Sequence, residues 1–283
     1  MDEVTAQTLI SKYFPDLKII TIRKIGEGTG NKAFEVNSGL IFRFPKAAAN
    51  RLQLEQEIRL QKVLLKHSTL PIPEFTFIPP DHSFVGYQKV KGVPLIETSE
   101  SFSDWDSFGR EIGRFISHLH SIPTTELSEL KLKIENKTNQ EWQGHSYPFY
   151  EKTKYLIPER FYSKIEGFFK TTSLDYQTEL VLCHNDLGIE HILVEGNKVS
   201  GVIDWGGVAL TDPAADCARI YRDVGEEILN KVLIGYLRTE VDISAIRERA
   251  IFMGKCLVFE DLFCGLRDEV YLKKALRAME WMF

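Results

Sequence analysis

Three positions in this chain combine residue types and spacings that could do chemistry: His184-Asn185-Asp186, His191 and Asp204-Trp205-Gly206. Phosphoryl transfer to a hydroxyl needs one carboxylate beside the attacking oxygen. It also needs separate ligands that hold magnesium against the β- and γ-phosphates. Asp186 fits the first role, and His191 with Asp204 fits the second. A single Asp in such a setting commonly caps a turn or a helix, so the shared spacing, rather than any one residue, carries the reading. His184 is expected to support the loop rather than transfer a proton.

The flanking apolar runs place these residues. Residues 180–183 read as a short buried strand feeding His184, and 192–194 with 199–203 read as a hairpin turning at Gly196-Asn197. Asp186 then lies on a loop after one strand, and Asp204 lies just past the end of another. Upstream, 5–14 has helical spacing, and strands are expected at 17–25, 32–36, 40–44, 75–78 and 84–90. A charged helix at 50–66 interrupts this five-stranded sheet. After residue 91 the pattern turns helical, at 104–120, 158–170, 213–222, 226–238, 243–266 and 269–281. The expected architecture is α+β, with a β-rich lobe at 1–91 and a mainly helical lobe at 92–283. The segment 127–162, rich in Trp and Tyr, is either a flap over an acceptor site or a satellite core.

The stretch from Val181 to Asp204 resembles the kinase-like antibiotic phosphotransferases, most of all the aminoglycoside phosphotransferases that modify the 2''-hydroxyl. The His at position 191 is shared with that branch and with the macrolide phosphotransferases. The resemblance implies a two-lobed protein-kinase-like fold, with ATP or GTP as donor and Mg²⁺ as cofactor. It also extends to the nucleotide side. Gly26, Gly28 and Gly30 join the first two strands, where glycines let backbone N–H groups approach phosphate oxygens, although glycines there also serve as simple tight turns. Where a kinase carries a strand Lys, this chain has Arg43, while Lys46 falls beyond Pro45. Arg43 is therefore expected to hold the phosphates and to pair with Glu57, chosen over Glu55 for its context Glu-Ile-Arg-Leu. Gln88, Lys89 and Val90 occupy the connection that would hold the base by main-chain contacts.

Composition limits the partners. The formal charge of −5 falls entirely in 184–283, which holds 17 acidic and 12 basic residues, whereas 1–183 is balanced at 23 of each. A nucleic-acid surface needs the opposite sign. No apolar run reaches membrane-spanning length and the first residues are acidic, so a cytoplasmic protein without a membrane partner is expected. Cys183, Cys217, Cys256 and Cys264 lack paired metal spacing and read as reduced core thiols.

Asp212-Pro213 follows Asp204 only eight residues later, too soon for a peptide-docking segment, which points to a small-molecule hydroxyl as acceptor. Asp216, Glu226, Glu227, Glu260 and Asp261 are the carboxylates expected to meet the ammonium groups of an aminoglycoside. Acidic residues in the first turn of a helix also simply complement its dipole, which is the rival reading for the Glu pair. Arg219, Arg222 and Arg267 lie among these acids, and the apolar residues Met253, Leu257, Phe259, Leu262 and Phe263 would suit a macrolide. A macrolide phosphotransferase, a sugar or amino-alcohol kinase and a nucleotide-binding pseudokinase remain as alternatives.

Overall fold

The computed structural model describes residues 1–27, 30–171 and 178–283, without the side chains of 48–50. Gly28 falls outside them. The chain opens with helix α1 (Glu3–Tyr13), capped by the Asp2 carboxylate, which accepts from Thr5 N–H. Strands β1 (Ile22–Glu27), β2 (Asn31–Val36) and β3 (Leu40–Pro45) follow, then helix α2 (Ala48–His67) and strands β4 (Phe75–Phe77) and β5 (Val85–Gln88). Their sheet has the order β1-β2-β3-β5-β4. Alternation along β2 and β3 buries Phe34, Val36, Phe42 and Phe44 against Ala6, Ile10 and Phe84, which fixes the register. The first strand starts later than its apolar pattern suggests. The Asn37 side chain accepts from Ile20 and Thr21 N–H and donates to Lys18 O, so residues 18–21 bond to it instead of to a strand.

Short elements lead into the second lobe: β6 (Val93–Pro94), α3 (Leu95–Thr98), α4 (Trp105–His120), α5 (Thr124–Leu127), β7 (Lys133–Ile134), α6 (Asn139–Thr153) and α7 (Tyr162–Lys170). Strand β8 (Val181–Cys183), the hairpin β9 (Ile192–Glu195) and β10 (Lys198–Val202), and strand β11 (Ala209–Thr211) bracket the polar motifs. Helices α8 (Ala214–Gly235), α9 (Ile243–Cys264) and α10 (Glu269–Met282) complete the chain. The pairs formed by β6 and β7 were not apparent in the sequence, because strands of two residues carry no period. β6 extends the hairpin, and β11 bridges β7 and β8.

The two helices expected at 213–222 and 226–238 meet across a kink within α8. Gly225 sits at φ 83°, ψ −178°, a conformation open essentially to glycine alone, and breaks α8 without separating its halves. The aromatic segment contributes to the core as α6, where Trp142 and Tyr150 are buried and Tyr150 packs on Phe259 at 5.5 Å. Tyr147 and Tyr155 are exposed. Cys183, Cys217 and Cys256 are buried thiols, but Cys264 is exposed, which corrects its expected place in the core. No helix among the described residues is long and apolar enough to cross a membrane.

Helix α4 buries Phe108, Ile112, Phe115, Ile116 and Leu119 along one face and packs on α8 through glycines. A Cβ on Gly113 would lie 2.1 Å from the backbone oxygen of Val232, and one on Gly235 would lie 2.7 Å from Gly109 O. The two backbones can approach this closely only without side chains. Gly113→Ala is therefore expected to push α4 from α8 and lower stability by about 1–3 kcal/mol, read as a reduced urea midpoint at unchanged m-value.

Candidate active site

Helix α8 holds the loop of His184, Asn185 and Asp186 from below. Asp216 is fully buried. Its Oδ2 accepts from His184 N–H at 3.0 Å and its Oδ1 from Asn185 N–H at 2.7 Å. His120 Nε2 lies 3.2 Å from Oδ2, and Tyr236 OH meets the other ring nitrogen at 2.9 Å. Burial acts to raise the Asp216 pKa, but these hydrogen bonds and nearby imidazoles outweigh it and hold the carboxyl below its ordinary value. Both oxygens are thus committed to the fold. This corrects the expectation that Asp216 meets the acceptor.

Asn185 adopts φ 62°, an unusual conformation for a residue with a Cβ. Three bonds sustain it: its N–H to Asp216, its side-chain amide to Gly207 O at 3.2 Å, and its carbonyl accepting from Arg219 Nε at 2.9 Å. His184 then links the two functional segments. Its Nε2–H donates to Ile203 O at 3.0 Å, beside Asp204, while its Nδ1 accepts from Asp186 N–H at 3.2 Å. Burial lowers the His184 pKa, so the ring is neutral and can donate at one nitrogen while accepting at the other. Asp204 is itself left-handed, at φ 61°.

These constraints bring the sequence motifs together. His191 Nδ1 lies 2.6 Å from Asp186 O and 3.6 Å from Asp186 Oδ2, and its Nε2 lies 3.7 Å from Asp204 Oδ2. Donation from Nδ1–H to the Asp186 carbonyl leaves the Nε2 lone pair facing Asp204, the tautomer a metal ligand requires. One imidazole nitrogen and one carboxylate, with room for water on the half-exposed Asp204, match the incomplete protein ligation magnesium favours. Burial acts to raise the Asp204 pKa, but Arg43, His191 and His184 outweigh it and keep the carboxyl below its usual value.

The nucleotide side faces this pair. Arg43 Nη1 donates to Glu57 Oε2 at 2.9 Å, and its Nη2 lies 3.9 Å from Asp204 Oδ1. Lys46 instead reaches Glu27 at 3.0 Å, outside this group. A cleft of about 420 Å³ is lined by Arg43, Tyr87, Lys89, Val90, Leu193 and Asp204, among others. Gln88 is not on its wall. It ends β5, opposite Leu40. Gly26 follows a bulge in β1, with open space where a Cβ would sit, and Gly30 accepts from Lys46 N–H at 2.9 Å. Gln53 was missed in the sequence although it lies one turn before Glu57; its side chain donates to Gly206 O at 2.6 Å, joining α2 to the turn after Asp204.

The remaining acids expected at the acceptor are already paired. Asp261 is buried and lies 3.1 Å from both Arg222 and Lys274, a correction to its expected freedom. Glu260 meets His145 at 3.0 Å, Glu226 pairs with Arg247, and Glu227 lies 3.6 Å from Lys231. Glu226 and Glu227 are largely exposed.

Comparison with known proteins fits this geometry. The model of the phosphotransferase enzyme family matches residues 21–250. The chain belongs to this family. The GDP complex of wild-type aminoglycoside 2'-phosphotransferase-IIIa superposes with a TM-score of 0.76 at 25% identity, covering 99% of this chain and 98% of that one. A macrolide 2'-phosphotransferase from Brachybacterium faecium shares the fold at a TM-score of 0.67 and 16% identity, covering 97% of each chain. Viomycin phosphotransferase from Streptomyces vinaceus is 45% identical over 65 residues, so the match spans 22% of each chain. The two-lobed kinase-like chain is thus a phosphotransferase acting on hydroxyl groups.

A depressed imidazole pKa makes a signed prediction for His184. Above about pH 6.5 both folded and unfolded forms are neutral, so His184 contributes no pH dependence. As pH falls below that value the unfolded chain takes a proton that the buried ring does not. The native state then loses up to about 1.4 kcal/mol per pH unit until the folded pKa is reached. Urea midpoints at mildly acidic and neutral pH should show this loss in the wild type, and His184→Gln should reduce the slope.

Proposed function

We propose that this phosphotransferase moves the γ-phosphoryl group of ATP or GTP to a hydroxyl of an aminoglycoside and so inactivates the antibiotic. One observation carries the reading: Asp186, His191, Asp204 and Arg43 form a chain across the cleft, each within 3.9 Å of the next. The base and phosphates would lie along 1–91, with Lys89 and Val90 offering main-chain groups and the glycine turn at Gly26 and Gly30 above. Residues 92–283 would supply the loop and the acceptor site. Asp186 orients the acceptor hydroxyl and accepts its proton. Arg43, held by Glu57, contacts the nucleotide phosphates. His191 Nε2 and Asp204 would hold Mg²⁺, which would supply charge that neutralises the nucleotide phosphates. An aminoglycoside acceptor is supported by the full-length likeness at 25% identity to an aminoglycoside phosphotransferase. The exposed Glu226 and Glu227 are the carboxylates it would meet, in exchange for their pairs with Arg247 and Lys231.

A second reading has its own support. Asp261, Glu226 and Glu227 have cationic partners within the chain and Glu260 lies 3.0 Å from His145, so an incoming polycation must compete for them. Phe149 and Phe263, with ring centroids 5.1 Å apart, add apolar surface beside Glu260. This favours an acceptor of lower charge, such as a macrolide.

Nucleotide turnover with MgATP or MgGTP against kanamycin, erythromycin, viomycin and glucose separates these readings. Kanamycin turnover is expected, whereas efficient erythromycin turnover without it would move the assignment to the second reading. Asp186→Asn should lower kcat by about 10²- to 10⁴-fold while nucleotide affinity by calorimetry stays near wild type. Asp204→Asn should cost more than His191→Asn in Mg²⁺ affinity, because magnesium prefers an anionic oxygen to an imidazole nitrogen.

A further inference from the structure

Helix α8 presents a row of polar side chains to the catalytic loop, and one of them has no part in the chemistry proposed above. Arg219 lies three residues after Asp216, on the same face of the helix. Its Nε–H donates to Asn185 O at 2.9 Å, and its Nη1 lies 3.0 Å from Asp186 Oδ1. The Arg219 side chain is 18% exposed and that of Asp186 37%, so the cation is sheltered while the carboxylate stays accessible. A guanidinium is planar, so the bond to the Asn185 carbonyl fixes the plane from which the second arm reaches Asp186.

We propose that Arg219 is a positioning residue for phosphoryl transfer: it occupies Asp186 Oδ1 and fixes the carboxylate's rotation, so that Oδ2 is presented to the attacking hydroxyl. The inference rests on the role given to Asp186 above. Holding the loop does not require the second arm, since Asn185 is already bound through its amide to Asp216 and through its side chain to Gly207. The carboxylate needs it more, because its terminal torsion is broad and two-fold. A lysine could satisfy the carbonyl or the carboxylate but lacks the fork to span both.

The test uses the full chain with MgATP or MgGTP and whichever of kanamycin, erythromycin and viomycin gives the highest wild-type turnover. Arg219→Ala, Arg219→Gln, Arg219→Lys and Asp186→Asn are measured side by side. All three Arg219 variants should lose about 10- to 100-fold in kcat, the scale of a misplaced reacting group. Their KM values for nucleotide and acceptor should stay within about threefold of wild type. Added guanidinium ion should recover part of the Arg219→Ala turnover and none of the Asp186→Asn turnover. If Arg219→Ala fails to fold, Arg219→Lys and Arg219→Gln give the same kcat and KM comparison. Wild-type kcat in a folded Arg219 variant, or a loss confined to KM without guanidinium rescue, overturns the proposal while a defective Asp186→Asn leaves the function standing. Full activity of Asp186→Asn, or no wild-type turnover with any acceptor, removes the functional reading and this inference with it.

Discussion

The buried carboxylate of Asp216 is the constraint on which the site depends. It accepts two consecutive backbone N–H groups, those of His184 and Asn185, from inside the core. A carboxylate buried without partners would be strongly destabilising, and one with half its bonds only somewhat less so. Here the loop amides and His120 satisfy it, so helix and loop need one another. The consequence is geometric. Asn185 is held in a left-handed conformation, and the next residue, Asp186, lies with its carboxylate 3.6 Å from His191 Nδ1 and 3.0 Å from Arg219.

The same logic continues along the helix. Asp223 accepts from Ile189 N–H at 3.0 Å, and Arg222 reaches Glu190 at 3.2 Å. Asp216, Arg219 and Asp223, spaced three and four residues apart, thus contact successive parts of the loop from one helical face. His184 carries the order onward, since its neutral ring bonds both the Asp186 amide and the Ile203 carbonyl. Segments from two different strands are thereby set at a fixed separation, as facing metal ligands and reacting groups require.

Charge pairing shapes the other walls. Arg43 stands where kinases place a lysine, and its fork spans Glu57 and approaches Asp204. On the acceptor side, cations of the chain itself answer most of the acids. The C-terminal excess of negative charge therefore overstates how many free carboxylates a ligand would encounter.

Much of the fold was legible in the sequence because its signals are local. Alternating apolar residues at 32–36 and 40–44 marked strands, the run at 181–183 marked the strand before His184, and the helical periods of α4 and α10 stood out. Where local pattern failed, a distant side chain decided: Asn37 displaced the start of β1, whereas the kink at Gly225 falls between the two helices expected there. The spacing of His184, Asp186, His191 and Asp204 was likewise readable, since short strands and a tight hairpin convert sequence separation almost directly into distance. Asp216, Asp261 and Arg219 were not readable in this way. A helical side chain faces core, cleft or solvent according to what packs around its helix, and a sequence does not print those neighbours. The approach of α4, the ring of His120 and the loop amides turned Asp216 inward. Residue type by itself made it an acid free to meet a ligand; tertiary packing made it the support of the His184–Asp186 loop, because only a carboxylate surrounded by donors can remain charged inside a protein.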